Sequence, residues 1–465
     1  VTNLRAENSR KKKRAAIYAF RALGQMPPEL IVELEPEVAE GEKKRTRLRK
    51  RPFPKFCFDR ILAALSWFYG QRNRRVLRRD TRPSGRIRAL RLVSPLAHGG
   101  VAKVAVQTTL CMPTDEVETC LFVFGRKQQT PAALRKRPDI PVVKRRFRFT
   151  TFQYNWVIFS QMRELADKIR KFETDVVHLH EPTFVVPVAI AAGMAGGVPL
   201  VVHLHSLYTG RREGVSATQT RLEQRALRSA RLIACTETIR RHTQEWLGET
   251  DFPIHIVPDG ADDVPSWPPN PALEEDLIKA AGDRLIIAKL ARIIPLKRID
   301  DFLAACRALL DEGYPIFCLL VSYGVEQDAV EMRRKFDEMF RPEEGEFLYA
   351  VEAPQHLLPR VAIGVSASNL EGLGLNVLEF QVAGVPVVCS NIPAHREMVT
   401  DGENGLLFET ENACDLTRQL RQLLDDESLR RRLAERGRET AGRYEWKCSA
   451  RETVRYYREI LRGMK

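Results

Sequence analysis

Ser368-Asn369-Leu370-Glu371-Gly372-Leu373-Gly374-Leu375-Asn376-Val377-Leu378-Glu379 is the stretch whose reading decides the fold of this chain. An apolar run, Val361 to Ala367, leads into it with the composition of a buried parallel strand. A glycine-bearing turn follows, and a helix is predicted to begin near Gly374. A strand–turn–helix of this kind aims backbone N–H groups and the positive end of a helix dipole at whatever sits above the sheet. Glu379 falls about a turn and a half into that helix, near enough to reach back toward a ligand. A carboxylate there can accept two hydrogen bonds from a vicinal diol such as a ribose. Glu371, in the turn, can face the group attached to the phosphates. The arrangement predicts a site for a phosphorylated sugar, against the plainer reading of two solvated carboxylates beside an ordinary turn.

Outward from this segment, strand-like runs alternate with helical stretches from about Gly85 onward. The first set of runs is Ile87–Ser94, Cys120–Phe124, Val176–Leu179, Leu200–His205, Leu232–Cys235 and Ile254–Val257. The second is Leu285–Leu290, Ile316–Val321, Phe347–Val351, Ile363–Ala367, Val385–Cys389 and Leu406–Phe408. Helical candidates between them include Gln153–Phe172, Gly214–Ala230, Ile299–Glu312 and Val325–Phe340. Alternation of this kind predicts an α/β protein with parallel sheets covered on both faces, and two sets predict two Rossmann-like domains. The prolines of Asp262-Asp263-Val264-Pro265-Ser266-Trp267-Pro268-Pro269-Asn270-Pro271 rule out a continuous helix and mark a linker. At 465 residues a single core is not expected in any case.

The net charge of +14 is concentrated at one end. Residues 1–91 hold 25 Lys and Arg against 9 Asp and Glu, whereas the rest holds 49 against 51. The body of the chain is therefore near neutral, which speaks against nucleic-acid binding by that body. In the basic segment, Phe53 to Tyr69 interleaves aromatic and aliphatic residues between arginine-rich flanks. That pattern suits peripheral contact with an anionic membrane, and equally a charged helix packed on the body. Nucleic acid ranks third, since no DNA- or RNA-binding motif accompanies the charge. The polar start, Val1 to Arg14, has no apolar run of a secretory leader behind it, and no stretch approaches a membrane-spanning length. Nine cysteines are scattered singly with no Cys-x-x-Cys, as expected of reduced thiols in a cytoplasmic protein.

Glu371 and Glu379, followed by Gln381-Val382-Ala383-Gly384-Val385-Pro386-Val387-Val388 and Asp401-Gly402-Glu403-Asn404-Gly405-Leu406-Leu407, resemble the E-x7-E signature, the "G-x-P-V-V" and the "D-G-x-N-G-L-L" of the family 4 glycosyltransferases. The resemblance spans roughly residues 88–461. It implies the GT-B fold, two Rossmann-like domains facing across a cleft, here with a basic N-terminal extension at 1–85. The implied division is an acceptor domain at 86–262, a linker at 263–283, a nucleotide-sugar donor domain at 284–443 and a C-terminal helix at 444–465 that crosses back. The implied activity is retaining transfer of a hexose-type sugar from a nucleoside-diphosphate sugar to a glycan or lipid-linked acceptor, in cell-envelope or exopolysaccharide synthesis. The expected location is cytoplasmic, with peripheral membrane contact through the basic segment.

The resemblance also carries roles to single residues. Arg292 and Lys297, in Leu290-Ala291-Arg292-Ile293-Ile294-Pro295-Leu296-Lys297-Arg298, match the pair that binds the donor diphosphate, although Ala291 and Arg298 stand where the family has glycine. The physical logic agrees, because departure of a nucleoside diphosphate needs fixed cations, and arginine and lysine supply them in complementary forms. Glu379 would hold the ribose, and Gly372, Gly374 and the N–H groups of Leu375 and Asn376 would assist. Gly99 and Gly100 match the glycine loop of the N-terminal domain, whose backbone closes on donor or acceptor. His205 and Glu371 would position the sugar. Asp259, in a place where the family has asparagine, is assigned no binding role. His178, His180, His203 and His205 show His-x-His spacing that occurs in metal proteins. No metal is expected, since the Arg292–Lys297 pair supplies the charge. The competing readings are a nucleotide-sugar epimerase of the same fold and a non-catalytic scaffold that binds membrane or nucleic acid through its basic segment.

Overall fold

A computed structural model describes residues 85–93, 100–124, 130–145, 156–180, 182–207, 217–261, 270–351 and 354–463. The basic segment up to residue 84, Gly99 and the proline-rich stretch 262–269 lie outside the described residues. The first sheet holds β1 (Ile87–Val93), β2 (Val117–Phe124), β3 (Val142–Arg145), β4 (Val176–Leu179), β5 (Leu200–Leu204), β6 (Arg231–Ala234) and β7 (Ile254–Ile256). The second holds β8 (Leu285–Arg292), β9 (Ile316–Tyr323), β10 (Gly345–Tyr349), β11 (Ile363–Ser366), β12 (Val387–Ser390) and β13 (Leu406–Phe408). The helices are α1 (Gly100–Leu110), α2 (Ala132–Arg135), α3 (Trp156–Lys171), α4 (Val185–Met194), α5 (Ala217–Arg228), α6 (Glu237–Leu247) and α7 (Pro271–Ala281). They continue with α8 (Ile299–Asp311), α9 (Glu326–Met339), α10 (Leu375–Val382), α11 (Pro393–Arg396), α12 (Ala413–Asp425), α13 (Glu427–Ala441) and α14 (Trp446–Arg462).

Strand order is β3-β2-β1-β4-β5-β6-β7 in the first sheet and β10-β9-β8-β11-β12-β13 in the second, and the pairing is parallel throughout. Two doubly wound Rossmann-like sheets are thus present, the architecture of the GT-B fold. Each order reverses once, between β1 and β4 and again between β8 and β11, and crevices at such reversals are where ligands settle in these folds. The strand β3 is absent from the sequence reading. Its four residues sit at the partly exposed edge of the sheet and end in Lys144 and Arg145, so neither length nor apolar alternation announces them.

The first sheet is buried on both faces, as parallel sheets are. Leu90, Leu92, Val177, Leu179, Val202 and Leu204 pack into one core. On the opposite face Ile87, Ala89, Val176, Val201, Ile233 and Val257 meet Ala450, Val454, Tyr457 and Ile460 of α14. The latter four follow a helical period, so α14 returns from the second sheet and lays one apolar stripe against the first. A large apolar side chain such as Val454 or Ile460 taken from water contributes about 1.5–3 kcal/mol. Along this same face, toward the carboxyl ends of the strands, the residue type changes. Ala89 is followed by Arg91, Val176 by His178 and His180, Val201 by His203 and His205, and Val257 by Asp259. Period-two alternation thus collects one buried polar cluster at the end of an otherwise apolar face.

The two sheets also meet directly. The Thr236 hydroxyl caps α6 by accepting from the Ile239 N–H and itself donates to the Gly372 carbonyl at 2.9 Å. The Glu397 carboxylate accepts the N–H groups of Glu237 and Thr238, at 2.9 and 2.6 Å, at the start of the same helix. Near the chain crossings, the Ala261 N–H donates to the Tyr444 carbonyl at 2.7 Å.

Candidate active site

The turn after β11 is built as the sequence predicts, with α10 beginning at Leu375 behind Gly374. Gly374 has φ of 95°, a left-handed conformation that a side chain would strain. Gly372 is required for a different reason: a Cβ there would lie 2.0 Å from the His205 carbonyl oxygen. The donor-side turn therefore presses against the end of β5 with no room for a methyl group. The first N–H groups of α10, at Leu375 and Asn376, have no partner inside the helix by construction. The Asn376 amide is drawn inward, donating to Ser366 Oγ at 3.1 Å.

Lys297 and Glu371 form an ion pair, with side chains 18% and 10% exposed. The Ser368 hydroxyl donates to the same Glu371 oxygen at 2.7 Å. Burial pushes the Glu371 carboxyl up, but the charge and hydrogen bond of Lys297, with nearby His395 and Ser368, bring it below the ordinary carboxylate value. Arg292 ends β8 as an exposed cation in register with Tyr323. At the β8–β11 reversal Lys297 and Glu371 are thus in direct contact, and Arg292 stands at the end of β8. Lys289 belongs there too and is missing from the sequence reading. Its amine is fully buried and donates to the Ala367 carbonyl at 2.8 Å, immediately before the turn. Burial, with the neighbouring Lys297 charge, brings the Lys289 amine down to about 7. A lone lysine inside an apolar strand was the available signal.

Glu379 is met from the other sheet. The Lys103 ammonium, on α1, pairs with its Oε1, and the Gln355 amide donates to that oxygen at 3.2 Å. At Gly100 a Cβ would lie 3.2 Å from Leu375 Cδ1, so the amino ends of α1 and α10 abut. The amino ends of two helices thus abut, with the Lys103–Glu379 pair between them and the Lys297–Glu371 pair in the turn that leads into α10. Abutting helix ends of this kind can hold an anion, and a carboxylate beside them can accept hydroxyl groups. Gly99 lies outside the described residues, and Gly100 stands exposed at the helix start.

His205 is also brought to the crevice, though its ring points inward. The side chain is 3% exposed, with Nε2 3.0 Å from His180 Nδ1 and Nδ1 3.2 Å from Asp259 Oδ1. His180 Nε2 in turn lies 2.8 Å from Arg91 Nη2, and Arg91 donates to Thr108 Oγ1 at 2.6 Å. His178 bonds instead to the Tyr457 hydroxyl of α14. Burial first, then the surrounding positive charges, pushes His178, His180 and His203 well below the ordinary imidazole value, so these three stay neutral. Asp259, given no role from sequence, is 3% exposed and lies 3.3 Å from His205 Nδ1 through Oδ2.

Two groups, His178–His180–His203 and His203–His205–Asp259, are compact enough to meet one ion. Donor accounting argues against both. His180 uses both ring nitrogens, and a metal on His205 Nδ1 would place the remaining protons so that His180 Nε2–H faced the Arg91 N–H.

Two family profiles match the chain, "Glycosyltransferase Family 4" over residues 98–264 and "Glycosyl transferases group 1" over residues 274–440. Among curated proteins, the glycogen synthase of Mycobacterium tuberculosis is 28% identical over 305 residues, 63% of this chain and 71% of that protein. The phosphatidyl-myo-inositol mannosyltransferase of Mycolicibacterium smegmatis is 27% identical over 301 residues, 64% of this chain and 74% of that protein. Among solved structures, Anabaena HepE in complex with UDP and glucose superposes with a TM-score of 0.66 at 17% identity, over 80% of this chain and 99% of that one. The sucrose-phosphate synthase of Thermosynechococcus elongatus gives 0.67 at 17% identity, over 81% and 100%. With one profile on each sheet and the GT-B architecture joining them, the chain belongs to glycosyltransferase family 4 and is a glycosyltransferase that draws on a nucleotide-sugar donor.

Proposed function

We propose that the protein is a retaining hexosyltransferase that moves a sugar from a nucleoside diphosphate to a glycan or lipid-linked acceptor. The observation that carries this reading is the convergence of the α1 and α10 amino ends with Lys103, Lys297, Glu371 and Glu379. The diphosphate would lie on the two helix ends, neutralised by Lys297 and Arg292 as the glycosidic bond breaks. Glu379 would take the ribose hydroxyls, exchanging Lys103 for them at one or both oxygens. Glu371, kept ionised by Lys297, would face the sugar. Retention needs the acceptor hydroxyl on the face that the phosphate leaves, so the departing phosphate can receive its proton. A cell-envelope or exopolysaccharide acceptor accords with the capsular and lipid-directed activities named for several relatives.

Thermal-shift titration with UDP, GDP and ADP in the presence of chelator tests the donor site. UDP is the first choice, since the solved relative HepE carries it. A saturating nucleotide should raise stability by a few kcal/mol. In Glu379→Gln the nucleotide affinity should fall about 10- to 100-fold, the worth of a charged hydrogen bond. Unchanged affinity in that variant would remove the ribose role. Lys103→Met should raise the donor KM about fivefold, the loss expected for one partly solvated charge. That effect should fade in high salt, and a salt-independent change would point to packing instead.

A further inference from the structure

The hydrogen-bonded series Arg91–His180–His205–Asp259 allows only one placement of its protons. A guanidinium can donate and never accept, so His180 Nε2, 2.8 Å from Arg91 Nη2, must be the acceptor. The His180 proton then sits on Nδ1 and is donated to His205 Nε2 at 3.0 Å. That leaves the His205 proton on Nδ1, where it is donated to Asp259 Oδ2 at 3.3 Å. The opposite end agrees, because a carboxylate only accepts. A fixed donor and a fixed acceptor therefore write the tautomers of both imidazoles between them. All four side chains are buried, at the β1–β4 reversal and along the strand ends beside it.

The other end of His205 touches the donor side. Its carbonyl oxygen is packed against Gly372, in the turn that carries Glu371, so closely that a Cβ there would come within 2.0 Å. The same turn is gripped from below by the Thr236 hydroxyl. Any rotation of the His205 residue is therefore passed to the Glu371 turn as a backbone contact.

We infer that Arg91, His180 and Asp259 are positioning residues of the transfer reaction, locking His205 as the Nδ1–H tautomer and, through its carbonyl, setting the turn that presents Glu371. The inference rests on the reading of Glu371 as the residue facing the sugar. His205 then serves as an anchor held at both ring nitrogens, with its ring committed to the protein. Asp259 acquires the role that its sequence context did not suggest, as the terminal acceptor of the series.

The test combines imidazole spectroscopy with kinetics on the full chain labelled with nitrogen-15 histidine. In long-range proton–nitrogen spectra, assigned by single substitutions, His180 and His205 should both show a protonated Nδ1 and an unprotonated Nε2. Asp259→Ala, which leaves the His205 Nδ1–H without its acceptor, should shift that proton's signal and lower kcat about 10- to 100-fold, the scale of a small misplacement at a reacting centre, with donor KM within about twofold. Asp259→Asn, which still presents an acceptor oxygen, should keep the tautomer and recover most of the rate. Arg91→Met combined with Asp259→Ala should release both tautomers and lower kcat in the same sense. An Nε2–H tautomer in the native protein would overturn the inference, as would a full rate in Asp259→Ala. Equal losses in the alanine and asparagine variants would also overturn it. Glu371→Gln separates the two claims: a full rate in that variant removes the reading of Glu371 alone, while the tautomers report on the series regardless.

Discussion

Alanine in place of Lys297 is expected to slow sugar transfer about 10²- to 10³-fold, mostly in kcat, the cost typical of removing one charge-stabilising group from a reacting centre. The ammonium sits on Glu371, in the turn that leads into α10, where on the proposed reading the diphosphate charge would grow as the sugar leaves. A second effect runs through the protein itself. Lys297→Ala leaves the Glu371 carboxylate buried without its cation, and breaking a fully buried pair costs about 3–5 kcal/mol. The partial exposure of Lys297 places this case toward the lower end of that range. The Glu371 carboxyl, held low chiefly by Lys297, should then titrate higher. The variant should lose stability as pH rises through that new value, because the unpaired carboxylate must ionise in place. The double variant Lys297→Ala, Glu371→Gln removes the stranded charge and should regain melting temperature without regaining rate. Recovery of both together would mean that Lys297 only holds the turn.

Gly372→Ala is expected to lower kcat about 10- to 100-fold while leaving nucleotide affinity within a few-fold. The added methyl would meet the His205 carbonyl oxygen at 2.0 Å, its carbon at 2.8 Å and Ile239 Cδ1 at 3.2 Å. Two of these neighbours are backbone atoms, which cannot swing aside as a flexible side chain would. Overpacking of this kind costs about 1–3 kcal/mol, and each 1.4 kcal/mol expressed in the barrier is tenfold in rate. The strain can be relieved only by moving the Glu371 turn away from β5, which opens the seam between the sheets. The nucleotide contacts proposed for Arg292, Lys297 and Glu379 belong to the second sheet, so they should survive. Steady-state kinetics with nucleotide titration and small-angle scattering would check this, and native turnover would show that the seam yields freely.

What could be read from the sequence was what is local. The apolar run into Ser368–Glu379 and the glycines of its turn announced strand, turn and helix within a dozen residues, and the same held for most other strands. Lys297 and Glu371 were separately visible as candidates, though their contact spans 74 positions. Lys103 was not visible as the partner of Glu379, because 276 residues separate them and nothing local marks the pairing. The Arg91–His180–His205–Asp259 series failed for a related reason. Alternation told which residues share a strand face, but the order of β1, β4 and β5 in the sheet decides who touches whom. Asp259 looked like a stray charge beside a cleft because its acceptor function exists only next to His205. Lys289 was passed over inside a strand, where burial alone makes it unusual.

The return of α14 to the first sheet means that the chain passes between the two halves twice, and the passages are stitched side by side. Ala261 binds the Tyr444 carbonyl, and a side chain at Gly260 would strike the Trp446 backbone at 2.6 Å. A door hung on one pin swivels freely, whereas one held by two adjacent pins can turn only about the line through them. The two passages are thereby tied together at one place, far in sequence from the Glu371 turn. The halves are also not modular: severing the chain after the first sheet would strip that sheet of the helix that covers its face. An exchange of donor halves between relatives must therefore carry the last helix with the first sheet, so the working unit of recombination is discontinuous in sequence.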